Sequence, residues 1–203
     1  MKAHPEGTAL KRTAGGSRAL AAAVAAGLGG LSLTASGILQ SMQPPGCIAA
    51  ECVGRTYRSA GPLESFLFLA GVLLIAGATL SFLALLPARM RVVRIAAATA
   101  AACMFFGVAL MGSALYFAGL ALVLVAVAAY IVMGVGLAVS RTLPAWAGVV
   151  LAVSSLLLLG ANDQNERILF VVPFGLAWLA LGTLLWSAEP AVTPRGHSSV
   201  KPI

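Results

Sequence analysis

Histidine is almost missing from this chain. His4 and His197 are its two copies in 203 residues, and both lie close to a terminus. Zinc, copper and haem sites lean on imidazole, so no metal or cofactor is expected. An HExxH hydrolase or an intramembrane Ser–His hydrolase is excluded on the same ground. Acids are nearly as scarce, with six Asp and Glu in all, and charged residues make up 9% of the chain against about 25% in an ordinary soluble domain. From Ile95 to Val139 there is no Lys, Arg, Asp, Glu or His. No segment inside the apolar stretches carries an ionisable group of the kind that proton- or sodium-coupled transporters bury, because there the charge moves with the substrate.

What fills the chain instead is hydrocarbon. Apolar residues account for 60% and the mean hydropathy is +0.98. One membrane span takes about 20 apolar residues, so the uncharged run at 95–139 is long enough for two. As a single helix it would be roughly 67 Å long, more than twice a hydrocarbon core of about 30 Å. A hairpin is therefore required, and Gly112, Ser113 and Tyr116 mark the turn. The expected fold is all-α: a polytopic membrane protein with a six-helix transmembrane bundle. Its spans are placed at about 19–39, 65–86, 95–112, 117–139, 143–160 and 168–186, inside a transmembrane domain 19–187. Residues 1–18 and 188–203 are rich in Gly, Ser, Thr, Pro and positive charge, and read as solvated, disordered cytoplasmic tails.

The net charge of +7 is a topology signal rather than a nucleic-acid footprint, because the cations flank the spans and no aromatics interleave them. With the N-terminus inside, ten Lys and Arg fall on the cytoplasmic side and three outside: Arg55, Arg58 and Arg167. Were 95–139 a single span, the split would be eight to five, so six spans with both termini cytoplasmic satisfy the positive-inside rule better. The plasma membrane is the expected location. The first apolar segment is too long for a signal peptide's 7–15-residue core and reads as a retained anchor.

Candidate sites are few. Cys47 and Cys52 stand in the longest loop, 40–64, which the charge count places outside, where thiols oxidise. Their spacing is not Cys-x-x-Cys, and Pro44-Pro45-Gly46 supplies a turn. A local structural disulfide is expected rather than a redox shuttle. Cys103 reads as a small hydrophobe within the third span. Asp163, Glu166 and Arg167, in the polar stretch before the sixth span, form a candidate external rim; the plainer account is a solvated turn in which Asp163 or Asn165 caps a helix. Ser154 and Ser155 are the one adjacent hydroxyl pair near mid-depth and form a candidate intramembrane polar site, although such side chains usually bond a carbonyl one turn back. Pro173 is expected to kink the sixth span. Glycines at 27, 29, 30, 71, 77, 134, 136, 175 and 182 predict close helix packing.

Two functional classes follow. The first is a non-enzymatic membrane protein: a small permease, a channel-like protein or an accessory subunit. Its partners would be the lipid bilayer and a second copy or other membrane subunits, with no nucleic acid. The second is a membrane enzyme or redox component using the loop cysteines or a lipid substrate. It would have to draw its acid, base or nucleophile from Glu51, Glu64, Asp163, Glu166 and the cysteines, and no pair among them has diagnostic spacing. The first class is the expectation.

Overall fold

The computed structural model describes residues 6–47, 52–54 and 58–187. Among these residues run six α-helices: α1 Glu6–Ser41, α2 Pro62–Leu85, α3 Arg91–Met111, α4 Tyr116–Ser140, α5 Ala145–Leu157 and α6 Val171–Ser187. Single 3-10 turns at Leu158–Gly160 and Glu166–Phe170 extend α5 and lead into α6. Among the described residues five segments are long and apolar enough to cross a membrane; the α5 segment, Ala145–Gly160, is shorter, about 25 Å by rise per residue. The protein is a polytopic helical membrane protein. Side chains such as Leu31, Leu80, Phe106, Val125, Val153 and Leu176 are exposed on its outward faces, which is the surface a bilayer rewards and water does not.

Local chemistry accounts for the helix ends. Gly61 enters α2 in extended conformation and Pro62 takes the first helical position, where its missing N–H is not needed. Glu64 sits in that first turn, favourably placed against the helix dipole. Pro87 follows the last turn of α2, and its carbonyl accepts the Met90 N–H (3.0 Å) to close the turn into α3. The α3–α4 hairpin falls at Gly112–Leu115: the Ser113 hydroxyl donates to the Leu110 carbonyl (2.8 Å) and accepts the Leu115 N–H (3.1 Å). Arg141 ends α4 with φ of 52°, the left-handed region.

Two ends depart from the sequence expectation. α1 begins at Glu6, inside the stretch read as an unstructured tail, while its apolar part begins at Gly16. Once a span nucleates a helix, adding flanking Ala, Leu, Lys and Arg costs little per residue. Pro173 is the third residue of α6, so its missing N–H falls in a first turn. The Leu169 carbonyl it would have used accepts the Val171 N–H at the 3-10 to α junction. The expected kink is thus a change of helix type at the start of the span. Residues 188–203, read as the second tail, lie outside the described residues, as do Glu51 and Arg55.

The helices form a closed ring built from two triplets. α1 packs most extensively on α2 and α6; α4 does the same on α3 and α5; the α2–α3 and α5–α6 contacts are thinner. Glycine makes the tight crossings inside each triplet. A Cβ on Gly175 of α6 would stand 2.7 Å from the Gly30 carbonyl oxygen of α1. One on Gly119 of α4 would stand 2.6 Å from that of Gly107 on α3, and one on Gly134 of α4 would stand 2.7 Å from that of Gly148 on α5. Backbones this close gain dispersion and weak C–H···O contacts, the forces left to helices when lipid removes the hydrophobic drive. Between the triplets the filling is different: large side chains, chiefly Tyr130, Phe174, Trp178 and Met133, all fully buried or nearly so.

Candidate functional site

Two polar assemblies stand out, one at an end of the bundle and one at its centre. The first is a cap formed where the α1–α2 loop meets the α5–α6 loop. Its hub is Arg58, only 9% exposed. The guanidinium donates from Nε to the Pro44 carbonyl (2.9 Å), from Nη2 to that of Gln43 (2.6 Å), and from Nη1 to those of Asp163 (3.3 Å) and Asn165 (3.4 Å). Among the described residues no carboxylate pairs with it, and its partners there are all backbone carbonyls. Gln164 closes the same joint. Its Oε1 accepts the Arg58 N–H (2.7 Å), its Nε2 donates to the Arg58 carbonyl (3.2 Å), and its own carbonyl accepts the Gly46 N–H (2.8 Å). The side-chain amide thereby pairs with a main chain as a strand neighbour would. Gly46 is required here, since a Cβ would stand 2.6 Å from the Arg58 nitrogen.

Cys47 and Cys52 are joined by a disulfide beside this hub, with Cα atoms 5.0 Å apart and Cys47 buried. Two further bonds tie the cap to the helices: Gln43 Nε2 donates to Glu64 Oε1 (2.6 Å), and the Ser36 hydroxyl donates to the Glu64 carbonyl (3.0 Å).

The candidate rim lies at the edge of this cap. Asp163, Glu166 and Arg167 are exposed, and no ion pair joins them among the described residues. The capping role falls to asparagines: Asn165 Oδ1 accepts the Arg167 N–H (2.9 Å), and Asn162 Oδ1 accepts the Gln164 N–H (2.8 Å). What Asp163 contributes to the joint is its main-chain carbonyl. Sequence reasoning counted Arg58 only as a topology charge and passed over Gln164. The available signal was an arginine in a long loop with few acids to answer it.

The second assembly sits in the seam between the triplets. Tyr130 of α4, with Phe174 and Trp178 of α6, forms a three-ring cluster. Ring centroids are 5.4 Å apart for Tyr130–Phe174, 5.7 Å for Tyr130–Trp178 and 6.3 Å for Phe174–Trp178, all edge to face, an arrangement that aligns ring edges with π faces. Thr79 of α2 completes the group. Its hydroxyl donates to the Ile75 carbonyl (2.7 Å) and lies 3.2 Å from the Tyr130 hydroxyl. Trp178 is 2% exposed and its indole Nε1 has no hydrogen-bond partner among the described residues; the Thr34 hydroxyl, at the α1–α6 crossing, has none there either.

Ser154 and Ser155 are buried in α5, and both hydroxyls donate to the Leu151 carbonyl, at 3.1 and 2.7 Å. Cys103 is free and half-buried in α3. Trp146 and Trp186 are exposed near the end that carries Arg141, the position of interfacial anchors. Among the described residues no three His, Cys, Asp or Glu side chains converge. No protein-family model, curated protein or solved structure matches the chain. Fold and site therefore define a class only: a small helical membrane protein with a hydrogen-bonded cap and an aromatic, hydroxyl-lined seam.

Proposed function

We propose that this protein is a non-enzymatic plasma-membrane protein with both termini cytoplasmic, and that it gives a small uncharged solute a passive route across the bilayer. The observation that carries this reading is the seam. Two triplets, each zipped by glycine crossings, meet through thinner contacts around side chains that can hydrogen-bond, near the middle of α4 and α6. Paired helical bundles that rock about a central site are a recurrent transporter design. The seam holds no Asp, Glu, Lys, Arg or His among the described residues, so coupling to protons or sodium has no ordinary carrier there. An enzymatic role is disfavoured because the polar groups of the cap are committed to holding loops together. Asp163, Glu166 and Arg167 are read as solvated headgroup-level residues, and Ser154 and Ser155 as helix-internal donors. Lipid is the constant partner, a second copy or another membrane subunit could pack on the outward faces, and nucleic acid has no place.

The test is reconstitution. Vesicles containing the purified protein are mixed rapidly with glycerol or urea, and their volume is followed by light scattering. Protein-dependent re-swelling several-fold faster than in empty vesicles is expected for at least one of the two solutes. Rates equal to those of empty vesicles for both would remove the permease reading. Reporter fusions at each terminus check sidedness, and opposite locations would overturn it.

A further inference from the structure

We propose that the Tyr130–Thr79–Trp178 cluster is the solute-binding site, and that its ligand is a small neutral molecule bearing a hydroxyl or amide, able to accept one hydrogen bond and donate another. The inference rests on the permease reading and names the site within it.

The Thr79 hydroxyl has one hydrogen, and the short contact to the Ile75 carbonyl (2.7 Å) uses it. In the 3.2 Å contact between the two hydroxyls, Tyr130 must therefore be the donor and Thr79 the acceptor. That leaves the Tyr130 oxygen with acceptor capacity and no donor directed to it among the described residues. Trp178 offers the complement: an indole N–H, donor only, 2% exposed and unpartnered among the described residues. The two rings pack edge to face with centroids 5.7 Å apart, so the free donor and the free acceptor belong to one cluster.

They come from α4 and α6, which lie in different triplets, and Thr79 comes from α2. An occupant accepting from Trp178 Nε1 and donating to Tyr130 Oη would bridge the halves of the bundle. Phe174 and the two larger rings supply apolar walls, which suits a molecule with a short hydrocarbon part. No Asp, Glu, Lys, Arg or His stands among the described seam residues, which argues against a charged ligand, whose desolvation nothing there would offset. The rings touch in the closed arrangement, so entry requires the triplets to part along their thin contacts.

Tyr130→Phe and Trp178→Phe each remove one hydrogen-bonding atom and keep an aromatic ring. Each is expected to lower protein-dependent glycerol or urea flux about tenfold, the scale of one buried hydrogen bond. Ser154→Ala, whose hydroxyl serves only the Leu151 carbonyl, should leave flux unchanged. Wild-type flux in both Phe variants would overturn the site while leaving the permease reading intact. If the wild type shows no flux, the permease reading falls and the site is judged by binding. In protein carrying Trp146→Phe and Trp186→Phe, Trp178 is the sole tryptophan, and its emission is titrated with glycerol and with urea. A saturable shift that disappears on adding Tyr130→Phe supports the site. A linear, unsaturable response that is the same with and without Tyr130→Phe overturns it.

Discussion

Arg58→Ala removes four donated hydrogen bonds at once but leaves the main-chain pairing between Arg58 and Gln164 in place, so it isolates the guanidinium. The two bonds of 2.6 and 2.9 Å carry most of the effect; those of 3.3 and 3.4 Å are near the limit of a hydrogen bond. A charge-assisted bond contributes about 1.5–3 kcal/mol. Water can reach a loop joint and replace part of that, which brings the expected loss to about 2–4 kcal/mol. For a chain of this length about 1 kcal/mol corresponds to 2–4 °C, so melting in detergent, followed by tryptophan emission, should fall by about 4–16 °C.

Lysine retains the charge but not the planar fork that reaches carbonyls of two loops, so Arg58→Lys should recover less than half of the loss. Gln164→Ala loosens the same joint, and the double variant should lose less than the sum of the singles by about 0.5 kcal/mol or more. The reasoning is refuted if Arg58→Ala melts within about 2 °C of the wild type, or if Arg58→Lys is fully as stable. Either result would mean that the charge, or nothing, matters at this hub, and that the carbonyl cage is incidental.

The remaining predictions concern packing, the disulfide and one strained residue. Gly134→Ala should destabilise the protein by more than about 2 kcal/mol, because its new methyl meets the backbone of α5, whereas Gly77→Ala, with nothing within 4 Å, should be neutral or stabilising by up to about 1 kcal/mol; paired melting curves separate the two. Cys47→Ser with Cys52→Ser opens a loop of sequence separation 5 and should cost about 2 kcal/mol while leaving solute flux unchanged. Loss of flux at retained folding would instead tie the disulfide to the solute path. At Arg141, φ of 52° suits glycine or asparagine. Arg141→Val should therefore lower stability by about 1–2 kcal/mol, and Arg141→Gly should melt close to the wild type.

Much of this architecture could be read from residue order. The uncharged run 95–139 demanded a hairpin because one straight helix of that length would far overrun the hydrocarbon core. The turn at Gly112–Leu115 falls where glycine, serine and an interfacial tyrosine cluster. Six helices follow from hydropathy and span length alone. The cysteine pairing followed from short spacing beside a proline turn. These are local properties, set by solvent and by neighbours along the chain.

Tertiary structure decided what met across the bundle. Arg58 and Gln164 are separated by 106 positions, and Thr79 and Tyr130 by 51, so no periodicity links them. The glycines that make the crossings at 107, 119 and 148 look like any others in an alanine-rich helix until a facing backbone identifies them. An arginine in a loop reads as a topology charge in sequence; it becomes a hub only when folding brings four carbonyls around it. Helix existence is determined by transfer of each segment from water to lipid, a sum over its own residues. Partnership depends on geometry between segments, which that sum does not contain.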